Sequence, residues 1–277
     1  MADESFVLIH KRDGVIFLYL CELLDGVARL GVGLKIDSYI YRIMALLHAD
    51  TCLSDAILHD TSLIPVIARF GISLGMGEKS IGAVCAEHGL DTDFFITILN
   101  TFINENYFPE KRLQSFYAGL LVDYLTKTNL YYVKFQLPNV ERHFGKLVEW
   151  GEGENSNLVA VFKFFEGVRK ELLARIESDK RVWFPVLRER LQQYDKVAEV
   201  AAVADLPPTD TVEEKLNDLL SLIVRHLSGD YDINLCHAVI FALCSLRNDI
   251  KQHNRIRNRI LRPVATALQC DSPVISV

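Results

Sequence analysis

The chain has 277 residues, 50% hydrophobic and 24% charged, with a formal net charge of −6. This is the composition of a globular protein with a substantial core, and at domains of ~100–200 residues the length suggests one or two of them. Only 15 Gly and 8 Pro argue against long flexible linkers, and the acidic balance gives no bulk field that would draw the protein to nucleic acid.

The first residues, MADES, are acidic, unlike the basic start of a secretory signal. Val15–Cys21 is apolar, but Glu22, Asp25 and Arg29 interrupt the apolar pattern beyond it. No stretch reaches the ~18–20 apolar residues needed to span a bilayer, so the expectation is a cytoplasmic protein without membrane association. Residues 6–20 admit two readings: a hairpin turning at Asp13-Gly14, or a buried helix over Val15–Leu30.

From Ile36 to Asp50 the pattern is helical, and Leu53–Ala68 continues it with Ser54 as an N-cap. Gly71, Gly75 and Gly77 separate two helical stretches, and Asp91 starts another helix that runs to about Asn104. The Lys79-Ser80 pair lies between flanking helices with no strand before it, so this glycine cluster is a turn and not a phosphate loop. Pro109 marks a linker. Four long helical stretches come next, at about 111–150, 156–193, 210–228 and 231–270, separated by the breakers GEGENSN and DLPPTD and by a break at Ser228–Tyr231. The expected fold is all-α: an up-down four-helix bundle over 107–277, preceded by a small helical module over 49–106 and an N-terminal extension over 1–48.

The six cysteines form no C-x-x-C pair and most sit in apolar surroundings, as reduced core thiols do. No two histidines have the i,i+4 spacing of a helical metal clamp. His143, His226 and His237 therefore read as ordinary histidines, with His226 falling on a helix seam. Arg255, Arg259 and Arg262 share a helix face near Lys251, but without interleaved aromatics they read as a solvated or acid-paired face rather than a nucleic-acid contact. No Ser-His-Asp motif or nucleophile elbow is present.

The informative anomaly lies where polar residues interrupt apolar seams. Val161, Phe165, Val168 and Leu172 follow one buried stripe, and the same count lands on Arg175, Asp179 and then Val182. Val239, Leu243, Leu246 and Ile250 lead to His253, Arg257 and Ile260. Leu121 and Leu125 lead to Asn129 and Tyr132. Thr209 precedes the stripe of Val212, Leu216, Leu219 and Ile223. An unpaired buried charge is very costly, so these polar residues are expected to meet one another.

These stretches resemble the hemerythrin-like domain of the bacterial iron–sulfur cluster repair family. The likeness rests on TNLYYVKFQLP (128–138), VRKELLARIESDKRVWFP (168–185), TDTVEEKL (209–216) and IKQHNRIRNRILRP (250–263). ARFGISLGMGEKSIGAVCAEHGLD similarly resembles the family's small N-terminal module. The resemblance covers about 50–270 and implies a di-iron bundle built from four His and two bridging carboxylates.

Carried over position by position, the first His is replaced by Asn129, and the second His and its Glu partner by Arg175 and Asp179. The third His is replaced by Thr209, with Asp210 keeping the following acid. The fourth survives as His253, while its carboxylate partner is Arg257; a further His of some relatives is Arg259. The family's Cys-Cys pair is replaced by Gly75 and Met76. Arg175 and Arg257 cannot deprotonate and so repel cations. The resemblance then implies a bundle with no metal cofactor, two guanidinium groups taking the metals' space opposite Asp179 and Asp210, and no catalysis. The role it leaves is regulatory or protein-interacting, against a background of nitrosative or oxidative stress, through a protein partner or a homodimer. The alternatives are an iron protein for cluster repair or O2/NO sensing, and a bundle binding a small anion.

Overall fold

The computed structural model describes residues 46–104, 107–109, 113, 117–151, 155–193 and 211–270. The hairpin-or-helix segment, most of Ile36–Asp50, Thr209 and Asp210 lie outside the described residues. The chain divides into two compact units, Met1–Leu46 and Leu47–Val277, and every helix named here belongs to the second.

The described part is almost entirely helical. Its only strand-like pairing is an isolated bridge between Cys52 and Ser80. Four short helices come first: α1 (Leu53–His59), α2 (Leu63–Arg69), α3 (Ile81–His88) and α4 (Thr92–Ile103). Leu53–Ala68 is thus not one helix. The chain breaks at Asp60, whose carboxylate accepts from the Ser62 N–H at 2.9 Å. Ser54 lies inside α1 instead of capping it, its hydroxyl 3.1 Å from the Cys52 sulfur. Residues 46–50 are not helical.

Caps fix the other boundaries. Ser80 accepts from Ala83 N and Asp91 from Phe94 N, which satisfies amides that each helix start leaves free. Gly89 closes α3 at φ 62°, a left-handed conformation that costs glycine nothing.

Three long rods come after the short helices, each an α-helix interrupted by one π-helical turn. The first is α5 (Ala118–Tyr131), π1 (Tyr132–Gln136) and α6 (Leu137–Trp150). The second is α7 (Ser156–Ser178), π2 (Asp179–Trp183) and α8 (Phe184–Gln193). After α9 (Val212–His226) comes the third: α10 (Ile233–Ile256), π3 (Arg257–Leu261) and α11 (Arg262–Cys270). Asn155 and Asp232 cap α7 and α10. Helix α6 packs on α10, α10 on α9, α9 on α7 and α7 on α6, which closes a ring of neighbours.

Two apolar clusters fill the unit. One lies inside that ring, from Leu137, Phe144, Phe165, Leu172, Leu219 and Leu243 among others. The other joins the short helices to the far halves of the rods, through Phe95, Leu121, Leu125, Trp183, Phe184, Ile256 and Ile260. Each rod crosses from one cluster to the other at its polar positions. The chain passes from Leu125 through Asn129 to Tyr132, from Ile176 through Asp179 to Trp183, and from Ile250 through His253 to Ile256. The polar residues thus form a layer between two apolar cores.

The seam count holds up to this layer and shifts beyond it in the second rod. Val182 is exposed at 46%, and Trp183 takes the inward place at 3%. A π turn holds one more residue than an α turn, so the count of three after Asp179 becomes four. His226 is exposed and does not join the core, and His237 is also exposed. Cys52, Cys85, Cys236 and Cys244 are free thiols. Among the described residues, no helix is long and apolar enough to cross a membrane.

Candidate functional site

Five of the six residues marked by the seams meet in the polar layer, all buried: Asn129, Arg175, Asp179, His253 and Arg257. At its centre Arg257 Nη2 donates to Asp179 Oδ1 at 2.8 Å, with the two side chains 2% and 0% exposed. Asn129 Nδ2 donates to the other oxygen, Asp179 Oδ2, at 3.3 Å. The Arg257 guanidinium also lies 4.6 Å from the centre of the Trp183 ring, which gives the cation a π face inside the core.

Arg175 enters from α7. Its Nη1 donates to Asn254 Oδ1 at 3.0 Å, and Asn254 Nδ2 donates to Glu213 Oε2 at 2.8 Å, a relay toward α9. His253 sits between these groups, 1% exposed, its ring centre 5.8 Å from that of Tyr132. Burial first, then the charges of Arg175, Arg257 and Arg69, push its pKa well below the ordinary imidazole value, so it stays neutral. Neither ring nitrogen has a hydrogen-bond partner among the described residues.

A second buried ion pair adjoins the first, and the seam count did not find it. Arg69 at the end of α2 pairs with Asp249 on α10. Burial opposes the Arg69 charge, but the Asp249 carboxylate outweighs this and raises the guanidinium pKa. Arg69 Nη1 donates to Tyr124 Oη at 3.0 Å, and Gln136 Nε2 donates to Asp249 Oδ2 at 3.1 Å. The Arg69 guanidinium lies 5.1–5.9 Å from the ring centres of Tyr131, Tyr132, Tyr124 and Phe102. Burial pushes the Tyr124 hydroxyl up to about 12, although Arg69 pulls it down. Two signals pointed here: Asp249 lies four residues before His253, and Arg69 follows Val66 by three on an apolar helix.

The Arg255 and Arg259 face is also partly used inside the molecule. Both guanidinium groups lie over the Phe108 ring, at 4.8 and 4.4 Å, and Arg255 donates to Gln252 Oε1 at 2.7 Å.

The donor set does not fit a di-iron group. Two cations need several neutral imidazoles and bridging carboxylates, whereas this layer offers one imidazole, and its central carboxylate already holds a guanidinium. Among the described residues, no group of three or more His, Cys, Asp or Glu side chains could hold a metal ion. Compared with known proteins, the chain matches no family model, no curated protein and no solved structure.

Proposed function

We propose that the chain is a non-catalytic, hemerythrin-like protein of the iron–sulfur cluster repair type, in which buried guanidinium–carboxylate pairs stand where a di-iron centre would be. The observation that carries this reading is the 2.8 Å contact of Arg257 with Asp179, made between two positions that the resemblance assigns to bridging carboxylates. The ring formed by α6, α7, α9 and α10 supports an up-down four-helix bundle as its frame. With no metal chemistry in the layer, the role left is regulatory or protein-interacting, in a cytoplasmic stress response.

Metal analysis by inductively coupled plasma mass spectrometry tests this, on protein expressed in iron-supplemented medium. No stoichiometric metal in a stable helical protein is the expected result. Two iron atoms per chain would overturn the reading and restore cluster repair or O2/NO sensing.

A further inference from the structure

Beyond the polar layer, the unit carries a cleft of about 500 Å³ that the proposed function does not use. It opens where the α1–α2 turn and the end of α4 meet α10. Its apolar side comes from Phe102 and its neighbours, and its polar side from Asp60, Ser62, Asn248 and Gln252. A cleft of this size holds a small molecule, and an apolar wall facing convergent polar groups is the usual make-up of a ligand site.

The hydrogen bonds already made decide what chemistry is left over. Asn248 Oδ1 accepts from Arg247, which leaves the Asn248 amide nitrogen as a donor. Gln252 Oε1 accepts from Arg255, which leaves the nitrogen of a side chain only 8% exposed as a second donor. Asp60 Oδ1 accepts from Ser62 N, which leaves Oδ2 as an acceptor.

The cleft thus presents donors on α10 and a carboxylate acceptor on the facing turn. An ammonium ligand would meet the amide donors with no acceptor of its own. An anion would meet the Asp60 carboxylate. A hydroxyl both donates and accepts, so it satisfies both walls. Charge agrees: Asp249, which also lines the cleft, is neutralised by Arg69, and the rest of the lining carries one acid, Asp60, and one base, Lys251. A ring carrying hydroxyls on its edge and C–H groups on its face would also cover Phe102.

We propose that this cleft binds a neutral polyhydroxylated molecule of monosaccharide size, a reading independent of the proposed function.

Saturation-transfer-difference NMR on the full chain tests it, with ribose, glucose and inositol as neutral probes and glucose 6-phosphate and 1,4-diaminobutane as charged ones. Transfer to at least one neutral probe is expected. Substituting Asn248→Leu or Ser245→Leu, both at exposed positions on α10, should weaken it about tenfold or more while the helical circular dichroism is kept. Using two variants keeps the test decisive if one folds poorly. No transfer to any neutral probe, transfer only to a charged one, or transfer unchanged in both variants would overturn the proposal.

Discussion

Arg69 and Asp249 are 180 positions apart in the chain and form one buried ion pair, joining the last residue of α2 to the C-terminal half of α10. The short helices are therefore fastened to the long rods by a charge pair inside the core as well as by apolar packing. Breaking a buried pair costs more than the pair itself contributes, because the remaining charge stays desolvated.

Substituting Arg69→Met should leave the Asp249 carboxylate buried against the neutral amide of Gln136, without its guanidinium, and destabilise the fold by about 3–5 kcal/mol. Native-state hydrogen exchange locates the effect. Amides of α1–α4 should lose protection before those of α6, α7 and α9. Equal loss in all of them would show that the pair does not act as a local fastening.

The Arg257–Asp179 pair lends itself to a double-mutant cycle. Arg257→Met alone should cost about 3–5 kcal/mol, while adding Asp179→Leu should recover most of that loss, since apolar replacement of a whole buried pair is often neutral or stabilising. Urea denaturation of the four proteins reads the coupling. Simple additivity would mean that the two side chains do not depend on each other.

His253 gives a prediction of opposite sign. A neutral imidazole whose nitrogens are both unpaired costs desolvation without return, so His253→Leu should stabilise the protein at pH 7 by about 1–2 kcal/mol. The folded pKa is depressed below the ordinary 6.5, so the unfolded chain takes up the proton first as pH falls. Stability should therefore drop below pH 6.5 by about 1.4 kcal/mol per unit until the folded state titrates, and hold above it. The groups around the ring are Arg175 on α7, Arg257 on π3, Arg69 on α2 and Tyr132 on π1. The difference between wild type and variant, from denaturation midpoints at pH 7.5 and 5.5, isolates this slope; equal slopes would contradict a depressed pKa.

Restoring ligands probes the resemblance directly. Asn129→His and Arg175→His supply, with His253, three imidazoles; Arg257→Glu supplies, with Asp179, two carboxylates. These positions already converge in one buried layer, so the triple variant should take up iron where the wild type does not, detected by mass spectrometry and a near-ultraviolet oxo-bridge band. A folded variant without iron would sever the link between these positions and a former metal centre.

Much of this layer was legible in the sequence because helical periodicity is a strict ruler. A polar residue at the next step of an apolar stripe must point inward, and Asn129, Arg175, Asp179, His253 and Arg257 all do. Two things escaped the ruler. Its step changes inside a π turn, which exchanged Val182 for Trp183. It also says nothing about partners on other elements, so Arg69 showed only as part of a motif and Asp249 only as a residue beside the Ile250 seam. The break at Asp60 was hidden by the unbroken apolar pattern on both sides of it.

The π turns bear on how length can vary in this chain. Each begins at a residue of the polar layer or one turn beyond it, at Tyr132, Asp179 and Arg257. Each residue of an α-helix advances the phase by about 100°, so deleting one residue from α7 would swing Phe184 and Leu187 off their core by that angle, whereas deleting one from π2 would return that turn to α geometry and keep their phase. The apolar stripes on the two sides of the layer are thus phased separately, with the π turn as the phase correction. Single-residue insertions and deletions in the α-helical parts of the rods should be far less tolerated than substitutions at the same positions.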